Sequence, residues 1–340
     1  MKFNKLLIAN RGEVAIRIAR AVGDMGLESV AVYSDDESAS LHLSHTDHAV
    51  LIPGKGAGAY LNIDAMIAAA KESGADALHP GYGFLSENPG LARRCNDEGI
   101  TFIGPHPDTL DKLGDKAAAR QLAELCDVPV VPGSRGETTV EQVKDFMASL
   151  GGDVAVVIKA VSGGGGRGMR IVQPSEDVDA AYHACAREAK AAFGDDSLYV
   201  ERLVRHARHI EVQILGDGLG EAVHLWEREC SLQRRNQKLI EIAPSPTLAE
   251  DTRKNLLDAA LRMARKVNYA GLGTFEFLVG ANGRDYFFIE ANPRLQVEHT
   301  VTEEITGVDL VQAQIAVLGG ISRAELNLNQ HQIPAANGYA

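Results

Sequence analysis

The chain is short of cysteine, of long apolar runs and of positive charge, and each shortage closes off a class of protein. Its four cysteines, Cys95, Cys126, Cys185 and Cys230, are widely spaced and form no Cys-x-x-Cys pair. That argues against a disulfide framework and a thiolate zinc site, and they read as reduced structural thiols. No apolar run reaches the roughly 18 residues of a membrane span. The stretch Leu6-Leu7-Ile8-Ala9 is too short for the core of a signal peptide, and Arg11 follows at once. The chain therefore reads as cytoplasmic, with no membrane partner. Acidic residues outnumber basic ones, 46 to 34, for a formal net charge of −12. Such a chain repels nucleic acid unless its basic residues cluster, so nucleic acid is not an expected partner.

What remains is an ordinary globular composition, with room in 340 residues for two or three domains. No internal repeat or low-complexity tract interrupts it. The first third alternates short apolar strands (6–9, 29–34, 75–80, 100–105) with helices at about 13–25, 62–73 and 89–98. This pattern predicts an α/β domain with a parallel sheet. Asn88 and Pro89 mark the start of the last of these helices. The first strand–helix turn has one glycine, Gly12, where a dinucleotide fingerprint needs three. A Rossmann-like fold without nicotinamide binding is expected. Residues 106–130 read as helical, broken at Gly114. Beyond them an α+β domain is expected. Its strands lie at 155–160, around Met169, at 197–203, and in paired antiparallel runs from His209 and Glu221. Helices are expected at about 176–192 and 249–267. A hairpin turning at Asn282-Gly283 should follow.

Three constellations carry chemistry. Ser162-Gly163-Gly164-Gly165-Gly166-Arg167-Gly168-Met169 joins two apolar strands. It is no Walker loop, because no Gly-Lys-Ser/Thr and no helix follow. Its freedom from side chains suits a flap of backbone N–H groups over phosphates. Lys159 precedes it at a strand end, within reach of a phosphate. In the hairpin, opposed residues should have numbers summing to about 565, which puts Glu276 opposite 289, beside Glu290. Two carboxylates within apolar strands are costly to bury, and a magnesium or manganese ion removes that cost, with pairing to Lys or Arg as the alternative. Asn292 offers a third oxygen on the same face. Lastly, Arg294-Leu295-Gln296-Val297-Glu298-His299 and Gln233-Arg234-Arg235-Asn236-Gln237-Lys238 are polar and basic segments that could hold a small oxyanion beside the metal, with Glu298 as general base. The alternative for both is a solvated surface. The run His42, His45, His48 has no supporting carboxylate or cysteine pattern and does not read as a zinc site.

Taken together, KLLIANRGEVAIRIARA, HPGYGFLSEN, GDKAAAR, IKAVSGGGGRGMR, ERECSLQRRNQK, GTFEFL and EANPRLQVEHTVTEEITGVDL resemble biotin carboxylase, of the ATP-grasp superfamily. The resemblance runs from Lys5 to about Ala340. It implies that ATP phosphorylates bicarbonate to carboxyphosphate, and that biotin, borne on a carrier domain or subunit, captures the carbon dioxide. A carboxyltransferase domain or subunit and a homodimer are implied partners. The implied layout is a biotin carboxylase N-terminal domain over 1–114, an ATP-grasp domain over 115–330 with a lid at about 131–204, and the start of a further subdomain at 331–340. Lys116, Lys159, Gly163, Gly164, Gly165, Gly166, Gly168, Met169, Glu201, Arg202, Leu203, Val204, His209, Gln233, Asn236, Glu276 and Glu290 would contact ATP. Glu276, Glu290 and Asn292 would hold the metals. Lys238, Arg294, Gln296, Val297 and Glu298 would hold bicarbonate, with Arg294, Glu298 and Lys238 catalytic. Asn236 departs from the family's usual histidine. The family's C-terminal subdomain, with an arginine for the biotin enolate, would lie beyond Ala340. The expectation is the N-terminal part of a biotin-dependent carboxylase. A truncated ATP-binding module and another ATP-grasp ligase are the alternatives.

Overall fold

A computed structural model of the chain describes residues 1–134, 136–151, 154–161, 168–334 and 336–340. The first hundred residues form strands β1 (Lys5–Ile8), β2 (Glu28–Ser34), β3 (His48–Ile52), β4 (Ala77–His79) and β5 (Thr101–Phe102), with helices α1 (Gly12–Asp24), α2 (Gly56–Ala59), α3 (Ile63–Ser73) and α4 (Pro89–Asp97). The strands pair in parallel in the order β3-β2-β1-β4-β5. The alternating pattern is thus a parallel sheet, as expected. Asn88 caps α4 by accepting from the N–H groups of Gly90 and Leu91, just ahead of Pro89. Strand β3 was not expected. It is an edge strand whose residues are mostly exposed, so its sequence carries little hydrophobic alternation.

Helices α5 (Pro107–Gly114) and α6 (Lys116–Leu125) follow, broken where expected. Asp115 makes the break, because its side chain caps α6 on the N–H of Ala118. Helix α7 (Val140–Ser149), strands β6 (Val156–Ala160) and β7 (Met169–Val172), helix α8 (Val178–Phe193) and strand β8 (Leu198–Arg202) form a small unit around the sheet β7-β6-β8. Its core is its own: Val143, Val156, Ile158, Cys185 and Val200 are buried together. Helix α7 was missed, although Thr139 and Gln142 form a capping box that marks its start.

The remaining chain builds an antiparallel sheet in the order β11-β10-β9-β12-β13. Its strands are β9 (Arg208–Asp217), β10 (Ala222–Arg234), β11 (Gln237–Ile242), β12 (Ala270–Val279) and β13 (Tyr286–Asn292). Helix α9 (Glu250–Lys266) covers one face, burying Leu256, Ala260 and Ala264 with Val212, Phe275 and Phe277. Helices α10 (His299–Thr306) and α11 (Leu310–Leu318) follow β13. Leu6 and Ile18 of the parallel unit share one core with Leu215, Leu225, Leu272, Leu310 and Val311. The parallel unit and the antiparallel sheet are therefore fixed against each other. No helix among the described residues is long and apolar enough to cross a membrane. All four cysteines are free and buried. His42 faces the Val32 carbonyl and His48 faces Glu28, so the two belong to different local contacts.

Candidate active site

The register of the antiparallel sheet lines up four charged residues. Glu290 on β13 lies opposite Glu276 on β12, Glu276 opposite Glu211 on β9, and Glu211 opposite Arg228 on β10. The expected hairpin sum of 565 holds at Phe277–Phe288 and at Val279–Tyr286. A register shift between Glu276 and Phe277 then moves Glu290, rather than residue 289, directly opposite Glu276. Three carboxylates in one row repel, and cations reach over them to offset this. Lys238 on β11 donates to Glu211 at 2.6 Å, to Glu276 at 3.3 Å and to Glu298 at 2.6 Å. His209 closes on Glu276 from the other side through Nε2, while its Nδ1 lies 2.8 Å from the Gln233 amide nitrogen.

These contacts set the protonation of the cluster. Burial opposes charge on Lys238, but Glu276, Glu211 and Glu298 outweigh it and hold its proton above the ordinary range. Burial likewise opposes charge on Glu276, where Lys238 and His209 prevail and keep it ionised. Glu290 goes the other way: burial and the charge of Glu276 raise its pKa against the pull of Lys116 and Lys159. Burial lifts Glu298 too, yet Lys238 and Arg228 bring it below the usual carboxylate range.

Glu290 decides whether the group fits a divalent cation. It is half-buried, its pKa is raised by desolvation and by Glu276, and it accepts no hydrogen bond from any described residue. A buried carboxylate facing a second one, both with oxygen donors, is a set that suits magnesium or manganese. Asn292 donates its amide N–H to Glu276 at 2.5 Å and accepts from Arg294 at 3.1 Å. As placed, the Asn292 oxygen is taken by Arg294, so a metal role for it would require giving up that bond.

Beyond the sheet edge Arg294 is heavily engaged. Its Nε donates to Glu87 at 2.5 Å, Nη1 to the Leu295 carbonyl at 3.2 Å and Gln296 at 3.0 Å, and Nη2 to Asn292. Arginine carries five N–H groups, so one on Nη2 remains for a ligand. Gln296 is itself fixed on Thr274 at 2.8 Å, Val297 is exposed, and Glu298 immediately precedes α10.

On the small unit's side, Lys159 at the end of β6 contacts Glu201 on β8, and Arg120 on α6 contacts the other oxygen of the same carboxylate. Lys116, the first residue of α6, lies 3.4 Å from the Ala160 carbonyl. Burial lowers its pKa, in part restored by Glu290. Arg202 stacks 5.7 Å over the Phe287 ring, Leu203 donates its N–H to Ala155, and Val204 follows. Gly168, with φ of 66°, leads into β7 at Met169. Gly163, Gly164, Gly165 and Gly166 lie outside the described residues. Asn236 is exposed at the tip of the β10–β11 hairpin, where it and Arg235 have φ of 62° and 52°. Positive φ at two successive turn residues suits asparagine better than arginine.

Four residues of this site escaped the sequence reading: Glu87, Arg120, Glu211 and Arg228. Glu211 and Gln213 alternate with Ile210, Val212 and Ile214, a pattern that reads as one buried and one wet face. Both faces are in fact buried. Arg228 sits in the equally ambiguous run Trp226–Leu232.

Residues 2–110 match the family described as biotin carboxylase, N-terminal domain, and residues 115–326 match carbamoyl-phosphate synthase L chain, ATP binding domain. Pyruvate carboxylase 1 of Caenorhabditis elegans is 52% identical over 336 residues, covering 98% of this chain and 28% of that protein. Pyruvate carboxylase of Bacillus subtilis is 51% identical over 342 residues, covering 99% and 29%. The chain thus spans less than a third of the length of these curated relatives. A biotin carboxylase–β,γ-ATP complex from Campylobacter jejuni superposes with a TM-score of 0.94 at 43% identity, covering 99% of this chain and 74% of that one. The biotin carboxylase domain dimer of Hydrogenobacter thermophilus 2-oxoglutarate carboxylase, with MgADP, ADP and bicarbonate, gives the same TM-score and identity over 100% and 74%. With both halves of the chain matched in order and the neighbours' fold reproduced, this chain belongs to the biotin carboxylase family of ATP-grasp enzymes.

Proposed function

We propose that the chain is the biotin carboxylase part of a biotin-dependent carboxylase. It transfers the terminal phosphate of ATP to bicarbonate, and the carbon dioxide then released from carboxyphosphate carboxylates N1 of carrier-bound biotin. The observation that carries this is the bridge of Lys238 between Glu276 and Glu298, with Arg294 alongside. It puts a fixed cation between a metal-type carboxylate and an ionised base.

Each residue has work in this reading. Lys116 and Lys159 meet the nucleotide phosphates under the glycine flap, Gly163 to Gly166 with Gly168. Met169 and Glu201 to Val204 border the base, and His209, Gln233 and Asn236 complete the pocket. Glu276, Glu290 and Asn292 hold magnesium or manganese, which neutralises phosphate charge when bound. Lys238, the free N–H of Arg294, Gln296 and the Val297 backbone hold bicarbonate. As the Lys238 ammonium turns to the arriving anion, Glu298 is released and takes the bicarbonate proton. The freed oxygen attacks the terminal phosphorus, and the bond to the ADP oxygen breaks. Preorganised cations supply most of the rate, because phosphoryl transfer needs charge neutralised more than it needs covalent catalysis.

The same reading divides the chain at Asp115 into an N-terminal domain over 1–114 and an ATP-grasp domain over 115–330, with residues 131–204 as lid and 331–340 opening a further subdomain. A carrier domain, a carboxyltransferase and a second copy of the chain are the proposed partners. The cytoplasm is the proposed compartment, which suits four free thiols. The deciding experiment measures ADP release with and without bicarbonate and free biotin. Stimulation by both is expected. Stimulation by another acid or amine, with none by biotin, would make the chain a different ATP-grasp ligase. Nucleotide binding without bicarbonate-dependent turnover, unrepaired by extending the chain, would make it a binding module.

A further inference from the structure

Arg228 takes no direct part in the proposed steps, yet among the described residues it is the largest side chain with no exposure at all. Its Nε contacts one oxygen of Glu211, directly across the β9–β10 pair. Its Nη1 donates to Gln213 and to the Thr302 hydroxyl, both at 2.8 Å. Nη2 is buried with no partner among the described residues. A guanidinium so deeply buried is expensive, and apolar residues of similar size commonly do as well for stability. Its value must lie in what it fixes.

Lys238 spans Glu211 and Glu298 at 2.6 Å each. Arg228 controls both ends of that span. It holds Glu211 directly. It reaches the start of α10 through Thr302, and Glu298 is the residue that caps that helix. The planar fork of the guanidinium sets a fixed distance between β9 and the start of α10, which a point charge on a flexible stem cannot do. We propose that Arg228 is a positioning residue that holds Glu211 and the start of α10 at the separation Lys238 requires to face the bicarbonate. This rests on the reaction proposed above. Without Arg228, Glu211 keeps only its bond from Lys238, and nothing fixes the separation of β9 from the start of α10 across which Lys238 must reach.

The test compares Arg228→Gln, Arg228→Lys and Thr302→Val in the full chain. Bicarbonate affinity is measured calorimetrically with Mg·ADP present, alongside the KM and kcat of bicarbonate-dependent ADP release. For Arg228→Gln the expected result is a bicarbonate KM raised at least about tenfold and a kcat lowered about a hundredfold, with Mg·ADP affinity within about twofold. Arg228→Lys should recover less than about a tenth of kcat, because it restores charge without the fork. Thr302→Val should raise the bicarbonate KM by about threefold or more. Equal losses of Mg·ADP and bicarbonate affinity would show a merely structural role, and wild-type bicarbonate kinetics would show none; either overturns the proposal. If Arg228→Gln does not fold, an unchanged bicarbonate KM in Thr302→Val overturns it alone. A wild-type chain that neither binds bicarbonate nor is stimulated by it sinks the proposed reaction, and the positioning role with it. An active wild type with an indifferent Arg228→Gln sinks the positioning role only.

Discussion

Glu87 accepts a hydrogen bond at 2.5 Å from Nε of Arg294, a residue 207 positions along the chain. The contact joins the loop after β4 to the strand end that carries the proposed bicarbonate residues. It also orients the guanidinium, since Nη1 and Nη2 point to Gln296 and Asn292 only while Nε is tied back. Glu87→Ala is expected to raise the bicarbonate KM by about tenfold and to leave the ATP KM unchanged, because the lost contact orients one ligand's partner only. Glu87→Gln, which keeps an acceptor, should cost less. Steady-state kinetics with each substrate varied in turn checks both. Unaltered bicarbonate kinetics in Glu87→Ala would reduce the pair to an ordinary half-exposed ion pair.

Glu290→Gln tests the metal assignment. Burial and Glu276 both raise the pKa of Glu290 against Lys116 and Lys159, and a divalent cation would stabilise its charged form. Glutamine preserves shape but removes charge. The magnesium concentration for half-maximal ADP release should rise by about tenfold or more, and chelation with EDTA should abolish the wild-type activity. A magnesium titration curve indistinguishable from wild type would remove Glu290 from the metal set.

Gly168 offers a prediction about the small lobe alone. Its φ of 66° is left-handed, and an added Cβ would lie 2.9 Å from the Ala160 Cβ and 3.1 Å from the Phe193 ring. Its carbonyl meanwhile accepts from the Ala160 N–H at 2.8 Å, so the backbone has little freedom to adjust. Gly168→Ala should destabilise the fold by about 1–2 kcal/mol through backbone strain and crowding. A melting temperature within about a degree of wild type would contradict this, since 1 kcal/mol shifts a domain by several degrees.

How much of this was legible depended on whether the sequence carried a local signal. Asn88-Pro89 announced α4 because capping is a local interaction. Glu276 and Glu290 could be paired from the Asn282-Gly283 turn, but the hairpin sum missed by one because a bulge leaves no trace in residue types. Strand β3 lacked alternation because it is an exposed edge. Thr139 and Gln142 did announce α7 and were overlooked. Glu211 and Arg228 were invisible for a deeper reason. Alternation reports that a face is polar, and it cannot tell water from a buried ion cluster. Only the register, which joins β9, β10, β12 and β13, puts those charges in one row.

His79 supplies a prediction about acid stability that is independent of any ligand. It ends β4 in complete burial, and its Nδ1 accepts the Gly81 N–H at 2.9 Å. Burial pushes its pKa down to about 3, and Arg17 and His299 add to the lowering. The folded imidazole therefore stays neutral through a range where the unfolded one, titrating near 6.5, gains a proton. Between those values the unfolded chain binds more protons, so stability falls as pH falls. The slope for one such group is about 1.4 kcal/mol per pH unit once below the unfolded pKa. His79→Asn keeps an acceptor for Gly81 and cannot titrate. It should be the less stable protein at neutral pH, from lost packing, but its disadvantage should shrink by about 1 kcal/mol for each pH unit between 6 and 4.5. His224 and His299 are also held low by burial, and both are common to the two proteins. Urea unfolding at several pH values measures the difference directly. Parallel stability curves for the two proteins would mean that His79 is protonated in the folded state, or that it gains no proton on unfolding.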